Sequence, residues 1–197
     1  MNGQPLKWVA LHLVPLVAVP IVTHTFAGIA GLNTAAALAL LTMIAILAIG
    51  QSKIMTGRRV SSSRWMWQTA CAIGIAVASG LVVMSTVDLA GYDALATFGG
   101  MTSAGLALGL VQAPMLEDRK LQWVALSAGG WLLGALIFRA IISSLAAISI
   151  GGLEPYGLAY NAGHNELLWT ATGLAFYGFL TLPMISTARD SQLTQPA

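Results

Sequence analysis

Six stretches of about twenty residues along the 197-residue chain carry almost no charge, and short polar breaks separate them. Each is long enough to cross roughly 30 Å of hydrocarbon as a helix. The pattern predicts an all-α integral membrane fold, a single transmembrane domain over residues 1–197, with helices at about 6–30, 34–53, 65–87, 97–116, 121–142 and 165–186. Pro15 and Pro20 fall inside the first stretch and each removes a backbone donor, so kinks are expected there. Gly31-Leu32-Asn33-Thr34 reads as a tight turn, and residues 52–64, rich in Lys, Arg and Ser, as a polar connection. Residues 143–163 are too apolar for a free loop and too interrupted by Gly151, Gly152, Pro155 and Gly157 for a span, which suggests a segment packed on the membrane surface. Residues 187–197 form a polar tail. The first apolar stretch begins close to Met1 and has no small-residue cleavage site, so a retained helix is expected rather than a removed signal peptide.

Composition agrees with burial in lipid: 57% of residues are hydrophobic and 8% charged, where a soluble domain carries about a quarter charged. Six spans put both termini on one side. Lys7, Lys53, Arg58, Arg59, Arg64, Arg119, Lys120 and Arg189 all fall on that side, so the termini are expected in the cytoplasm of a multi-pass cell-membrane or inner-membrane protein. Asp88, Asp93, Glu154 and Glu166 fall on the other side. Insertion orientation accounts for the basic patch, and anionic lipid head groups suit it, so no nucleic-acid partner is required. A single cysteine, Cys71, excludes an internal disulfide.

The helices repeat one another. Trp8-Val9-Ala10-Leu11 opens the first and Trp123-Val124-Ala125-Leu126 the fifth, with Trp67 in the corresponding place on the third. Steps of four, seven and eleven from each Trp lie on one helical face: Trp8, His12, Pro15, Val19; Trp67, Cys71, Gly74, Ala78; Trp123, Ser127, Gly130, Gly134. The even helices form a second set in which the Gly105–Met115 segment matches the Gly173–Met184 segment, and Gly50-Gln51 with Met55 matches more weakly. The unit is an even helix followed by an odd one, as pairs 2-3, 4-5 and 6-1. A pseudo-threefold bundle of three repeated hairpins follows, with helix 6 beside helix 1.

Gly105, Gly109 and Gln112, then Gln122-Trp123, Gly130-Trp131 and Gly134, and finally Tyr177-Gly178 with Thr181, form a pattern that resembles a group of bacterial polytopic membrane proteins with glycine-rich Gln-Trp repeats. The resemblance covers the second half of the chain well and the first half poorly, where Trp65-Met66-Trp67 stands in place of Gln-Trp. It implies an architecture and carries no mechanism.

Candidate sites follow from placement. Gly105 to Gly109 and Gly130 to Gly134 are small-residue faces for close helix packing, and a groove for a flat ligand such as a quinone, carotenoid or porphyrin is the sharper alternative. Trp8, Trp65, Trp67 and Trp123 cluster at the cytoplasmic boundary and read as an aromatic belt. In the repeat register His12, Cys71 and Ser127, with Gln51, Gln112 and Thr181 at similar depth on the even helices, make an inner polar ring. Its roles range from interhelical hydrogen bonding to a solute or proton path, and a His12–Cys71 pair offers two soft-metal ligands, too few for a metal site. His24 and His164 near the outer boundary are candidate ligands for a haem or chlorophyll metal. Arg139, about 27 Å from Leu121 at 1.5 Å per residue, lies near the outer surface, where Glu166 and Asp88 are candidate partners. Arg139, Glu166, His164, His24 and Asp88 together define a candidate outer pocket.

No nucleophile elbow, metalloprotease motif, phosphate-binding loop or dinucleotide fingerprint occurs, and the seven acids leave no buried carboxylate pair for acid-base work. Catalysis is not expected. Two function classes stand: a non-catalytic structural or accessory subunit of a membrane assembly, holding lipid or pigment, with lipid and other membrane subunits as its partners; and a small-solute transporter or the membrane-embedded binding component of one. A closed, dry centre favours the first, and an outward pocket lined by Arg139, Glu166 and His164 the second.

Overall fold

Gly31 sets the tone of the architecture, because it is the whole connection between the first two helices of the computed structural model, which describes residues 3–55, 61–88, 93–116, 119–147 and 162–187. Helix α1 spans Gln4–Ala30 and α2 Leu32–Met55. Between them Gly31 takes φ 79°, a left-handed conformation open to glycine, and its N–H donates to the Ala27 carbonyl at 3.2 Å. The four-residue turn expected at residues 31–34 is therefore shorter, and Leu32-Asn33-Thr34 is already helical. Four further helices follow: α3 at Ser62–Asp88, α4 at Asp93–Gln112, α5 at Lys120–Ala147 and α6 at Ala162–Thr187. All six are long and apolar enough to cross a membrane, and no strand occurs among the described residues.

Local chemistry explains the ends. Pro5 sits in the first turn of α1, where its missing N–H has no intrahelical use. Pro15 and Pro20 leave α1 a single unbroken helix. Pro114 closes α4 through a 3₁₀ turn at Ala113–Met115, after which Leu116 is extended and its N–H returns to the Ala113 carbonyl at 2.9 Å. Helix α5 runs five residues beyond the expected end at 142, and α6 begins at Ala162, so both flanks of the segment expected on the membrane surface are helical. Residues 148–161, the tail at 188–197, and the middle of the two basic or acidic turns lie outside the described residues.

Each helix packs on the next along the chain, and α6 packs on α1, so the six close into a ring; α6 also touches α2 and α4. Helices α6 and α4 are the most enclosed and α1 the least. One face of α1, carrying Trp8, His12, Pro15, Val19 and Thr23, is buried, while Leu6, Val17, Ile21 and Ile29 point out. An apolar exterior of this kind, with Leu41, Val82, Leu110 and Leu121 on other helices, is what a hydrocarbon solvent requires.

Glycine sets how close the seams are. A Cβ on Gly105 would lie 2.7 Å from the Ser127 carbonyl oxygen and one on Gly109 2.8 Å from Val124 Cα, so α4 and α5 meet backbone to backbone. A Cβ on Gly130 would lie 2.6 Å from Tyr177 Cα, and one on Gly134 2.9 Å from Gly173 Cα, which does the same for α5 and α6. Without a hydrophobic drive between helices in lipid, van der Waals contact at this range is a main source of association.

Candidate functional site

One end of the ring, built from the start of each odd helix and the end of each even one, encloses a buried polar cluster. Trp8, Trp65 and Trp123 are fully or almost fully buried, and each donates its indole N–H to the polar residue near the end of an even helix. Trp8 donates to Thr181 Oγ1 at 3.2 Å, Trp65 to Gln51 Oε1 at 3.3 Å and Trp123 to Gln112 Oε1 at 3.3 Å. These three tryptophans therefore belong to the core, not to an interfacial belt. Only Trp67 among the four, 67% exposed, faces outward.

Gln51 is the hub. Its Oε1 also accepts from Thr69 Oγ1 at 3.1 Å and from Gln112 Nε2 at 3.2 Å, and its Nε2 lies 2.8 Å from His12 Nε2. Three donors converge on one oxygen, which fixes the amide orientation and makes Nε2 the donor toward His12. His12 Nε2 must then accept, so the imidazole is neutral with its proton on Nδ1, which donates to the Trp8 carbonyl at 2.7 Å. Gln112 Nε2 also donates to Thr69 Oγ1 at 3.2 Å, and its Oε1 receives the Tyr177 hydroxyl at 2.7 Å. Ser127 and Thr181 donate back to the carbonyls of Trp123 and Tyr177, each at 2.7 Å. Around this network the rings touch: Trp123 lies 5.8 Å from Tyr177 and 6.3 Å from both Trp8 and Trp65, and His12 lies 5.3 Å from Tyr177, centroid to centroid.

Five members of the expected inner ring, His12, Gln51, Gln112, Ser127 and Thr181, are thus buried at this end of the bundle. The sixth is not. Cys71 is exposed, and Thr69 takes the place assigned to it. The reason is register: the inward tryptophan of α3 is Trp65, so the buried face runs Trp65, Thr69, Ala72, Ala76, two residues before the expected one. A His12–Cys71 metal pair is ruled out by the same rotation. Thr69 and the Tyr177 hydroxyl had no assigned role in the sequence reading, although a polar residue four positions after an inward Trp, as in Trp8/His12 and Trp123/Ser127, was the available signal.

Of the five outer-pocket residues, only His24 and Arg139 have described side chains. His24 is exposed on α1 and Arg139 is half-buried on α5. Asp88 ends α3, and His164 and Glu166 open α6, with side chains outside the described residues. Among the described residues no three His, Cys, Asp or Glu side chains come together.

Toward the end opposite the polar cluster there is instead an apolar cavity of about 180 Å³, lined by all helices except α1. Leu40, Val77, Met84 and Met101 form much of its wall, Gly80 and Gly100 widen it, and Trp131 and Trp169 face it from α5 and α6. No charged residue lines it. Comparison of the chain with protein-family models, with curated proteins and with solved structures finds no match.

Proposed function

We propose that this chain is a non-catalytic, multi-pass membrane protein with both termini in the cytoplasm, built as three even–odd hairpins (α2-α3, α4-α5 and α6-α1) and serving as an accessory subunit that holds a membrane-soluble ligand. The observation that carries the reading is the buried Trp/Gln cluster. Its donors and acceptors are paired among themselves, so it offers a solute neither a free polar group nor a wet route. The repeat is supported by the three tryptophan bonds, since each joins an odd helix to the even helix of its own hairpin, and by the packing of α6 on α1. The resemblance to bacterial proteins with glycine-rich Gln-Trp repeats belongs to the same reading, because Gln112, Trp123, Gly130, Tyr177 and Thr181 all work in the cluster or beside it. The cytoplasmic assignment of the termini follows from the placement of Lys and Arg.

The test is flux. Proteoliposomes containing the purified chain are expected to show the same proton and small-solute permeability as empty liposomes of the same lipid. Protein-dependent, saturable uptake would overturn the reading in favour of a transporter.

A further inference from the structure

The hydrogen bonds that meet at Gln51 can all be made in one protonation state of His12 only. Gln51 Oε1 takes donors from Trp65, Thr69 and Gln112, and its Nε2 faces His12 Nε2 at 2.8 Å. The other imidazole nitrogen, Nδ1, donates to the Trp8 carbonyl at 2.7 Å. A second proton on the ring would set an N–H of His12 against an N–H of Gln51, with no acceptor between them. His12 is 0% exposed, so solvent does not reach that N–H.

Helices α2 and α6 pack against α1 around this ring. Trp8 lies 4.4 Å from it on the same helix and Tyr177 5.3 Å from it on α6, centroid to centroid. Gly178 brings the main chain of α6 so near that a Cβ there would lie 2.5 Å from His12 Cβ. Tyr177 is the titratable group among these, and its hydroxyl is committed to Gln112. Of the other titratable side chains on the three helices, Lys7 and Lys53 are exposed at this end of the ring, and His24, His164 and Glu166 belong to the other end.

One rearrangement pairs the protonated ring. A half-turn of the Gln51 amide presents Oε1 to His12 and swings Nε2 toward Trp65, Thr69 and Gln112. The Thr69 hydroxyl can turn and accept. Gln112 keeps its bond to Thr69, and its own Oε1 is held by Trp123 and Tyr177, so it does not turn. The Trp65 indole is a donor only, and it is left without an acceptor. A proton received on α1 is thus felt on α3.

We propose that His12 and Gln51 form a proton-operated switch, in which a proton taken up at His12 Nε2 turns the Gln51 amide and releases Trp65, and with it part of the hold of α2 on α3 at this end of the bundle. The proton comes from water and returns to it by the same end, so switching needs no flux, and the switch is independent of whether the chain is an accessory subunit or a carrier.

The experiment is hydrogen exchange at the indole N–H groups, followed by nuclear magnetic resonance on the full chain in micelles with isotope-labelled tryptophan, in steps from about pH 8 to about pH 3. The readout is the exchange rate of Trp65 divided by that of Trp123, whose acceptor on Gln112 stays in place; the ratio cancels the intrinsic pH dependence of exchange. It is expected to rise at least about tenfold on acidification. In His12→Gln, whose side chain accepts from Gln51 without titrating, the ratio should stay flat, which also sets aside the carboxylates that titrate over the same range. In Gln51→Glu the carboxylate accepts from the protonated ring and from Trp65 together, so the ratio should again stay flat. A flat ratio in the parent overturns the switch, as does a rise that persists in His12→Gln. Loss of protection at Trp65 and Trp123 in step overturns it too, since the cluster then fails as a whole. A rise in Gln51→Glu overturns the turning of the amide. Where Gln51→Glu does not fold, as far-ultraviolet dichroism reports, parent and His12→Gln decide.

Discussion

At Gln51 one carbonyl oxygen holds α3 through Trp65 and Thr69 and α4 through Gln112, while the amide nitrogen of the same side chain holds α1 through His12. Gln51→Met keeps the length and removes every one of these bonds, leaving buried donors unpaired. A loss of about 3 kcal/mol is expected, measured by reversible unfolding in mixed micelles, because interhelical bonds in membrane bundles average roughly 0.6 kcal/mol but orphaned buried donors cost about 1–3 kcal/mol each. The register of α3 gives a paired prediction. Trp65→Phe should cost about 1–2 kcal/mol and Trp67→Phe less than about 0.5 kcal/mol in the same assay. Cys71→Ser should be equally silent in that assay, because Cys71 lies on the outer face of α3. His12, Gln51, Gln112, Ser127 and Thr181 were legible from spacing, whereas the Tyr177 hydroxyl was not. On α3 two tryptophans two residues apart offered two faces of equal hydrophobicity, and only the polarity of Thr69 at the fourth position separates them. Spacing says that a face exists, and the partner across the seam says which face it is.

Among the elements, glycine controls the seams. Gly130→Val would drive a branched side chain into the backbone of α6 at Tyr177 and, through it, disturb the hydroxyl that reaches Gln112. Overpacking of this kind costs about 1–3 kcal/mol in a well-packed core, and the upper end is expected here because the obstacle is main chain. The expected readout is a lowered unfolding midpoint together with loss of the near-ultraviolet signal of the tryptophan cluster. Helix existence was plain from the apolar runs of about twenty residues, since a helix satisfies its backbone within a single segment of that length. Helix ends were less plain: Ser143-Ser144-Leu145-Ala146-Ala147 continues α5 although the broken segment after it pointed to an earlier stop. Serine can bond its hydroxyl back to the preceding turn, so a polar pair need not end a helix.

For the whole molecule, closure of α6 on α1 means that the chain ends flank one seam, with Trp8 bonded to Thr181 across it. A circular permutant that joins residue 197 to residue 1 and opens the chain within 56–60 is expected to keep the bundle, with a melting temperature within about 5 °C of the parent. A large drop would mean that the α2–α3 connection, and not the seams, holds those helices together. The ring closure was foreseeable from the matched Trp-Val-Ala-Leu openings of α1 and α5. The cavity was not, because its walls come from five helices and no spacing within one helix gathers Leu40, Val77, Met84, Met101 and Trp131.

The single-residue connection at Gly31 has a consequence for synthesis. A chain read as spanning a bilayer must carry each external loop across it, and between α1 and α2 there is almost no loop to carry: a glycine, flanked by helix on both sides. The first fifty or so residues of such a chain form one helical hairpin that can enter a bilayer as a unit, with Lys7 and Lys53 both at its open end.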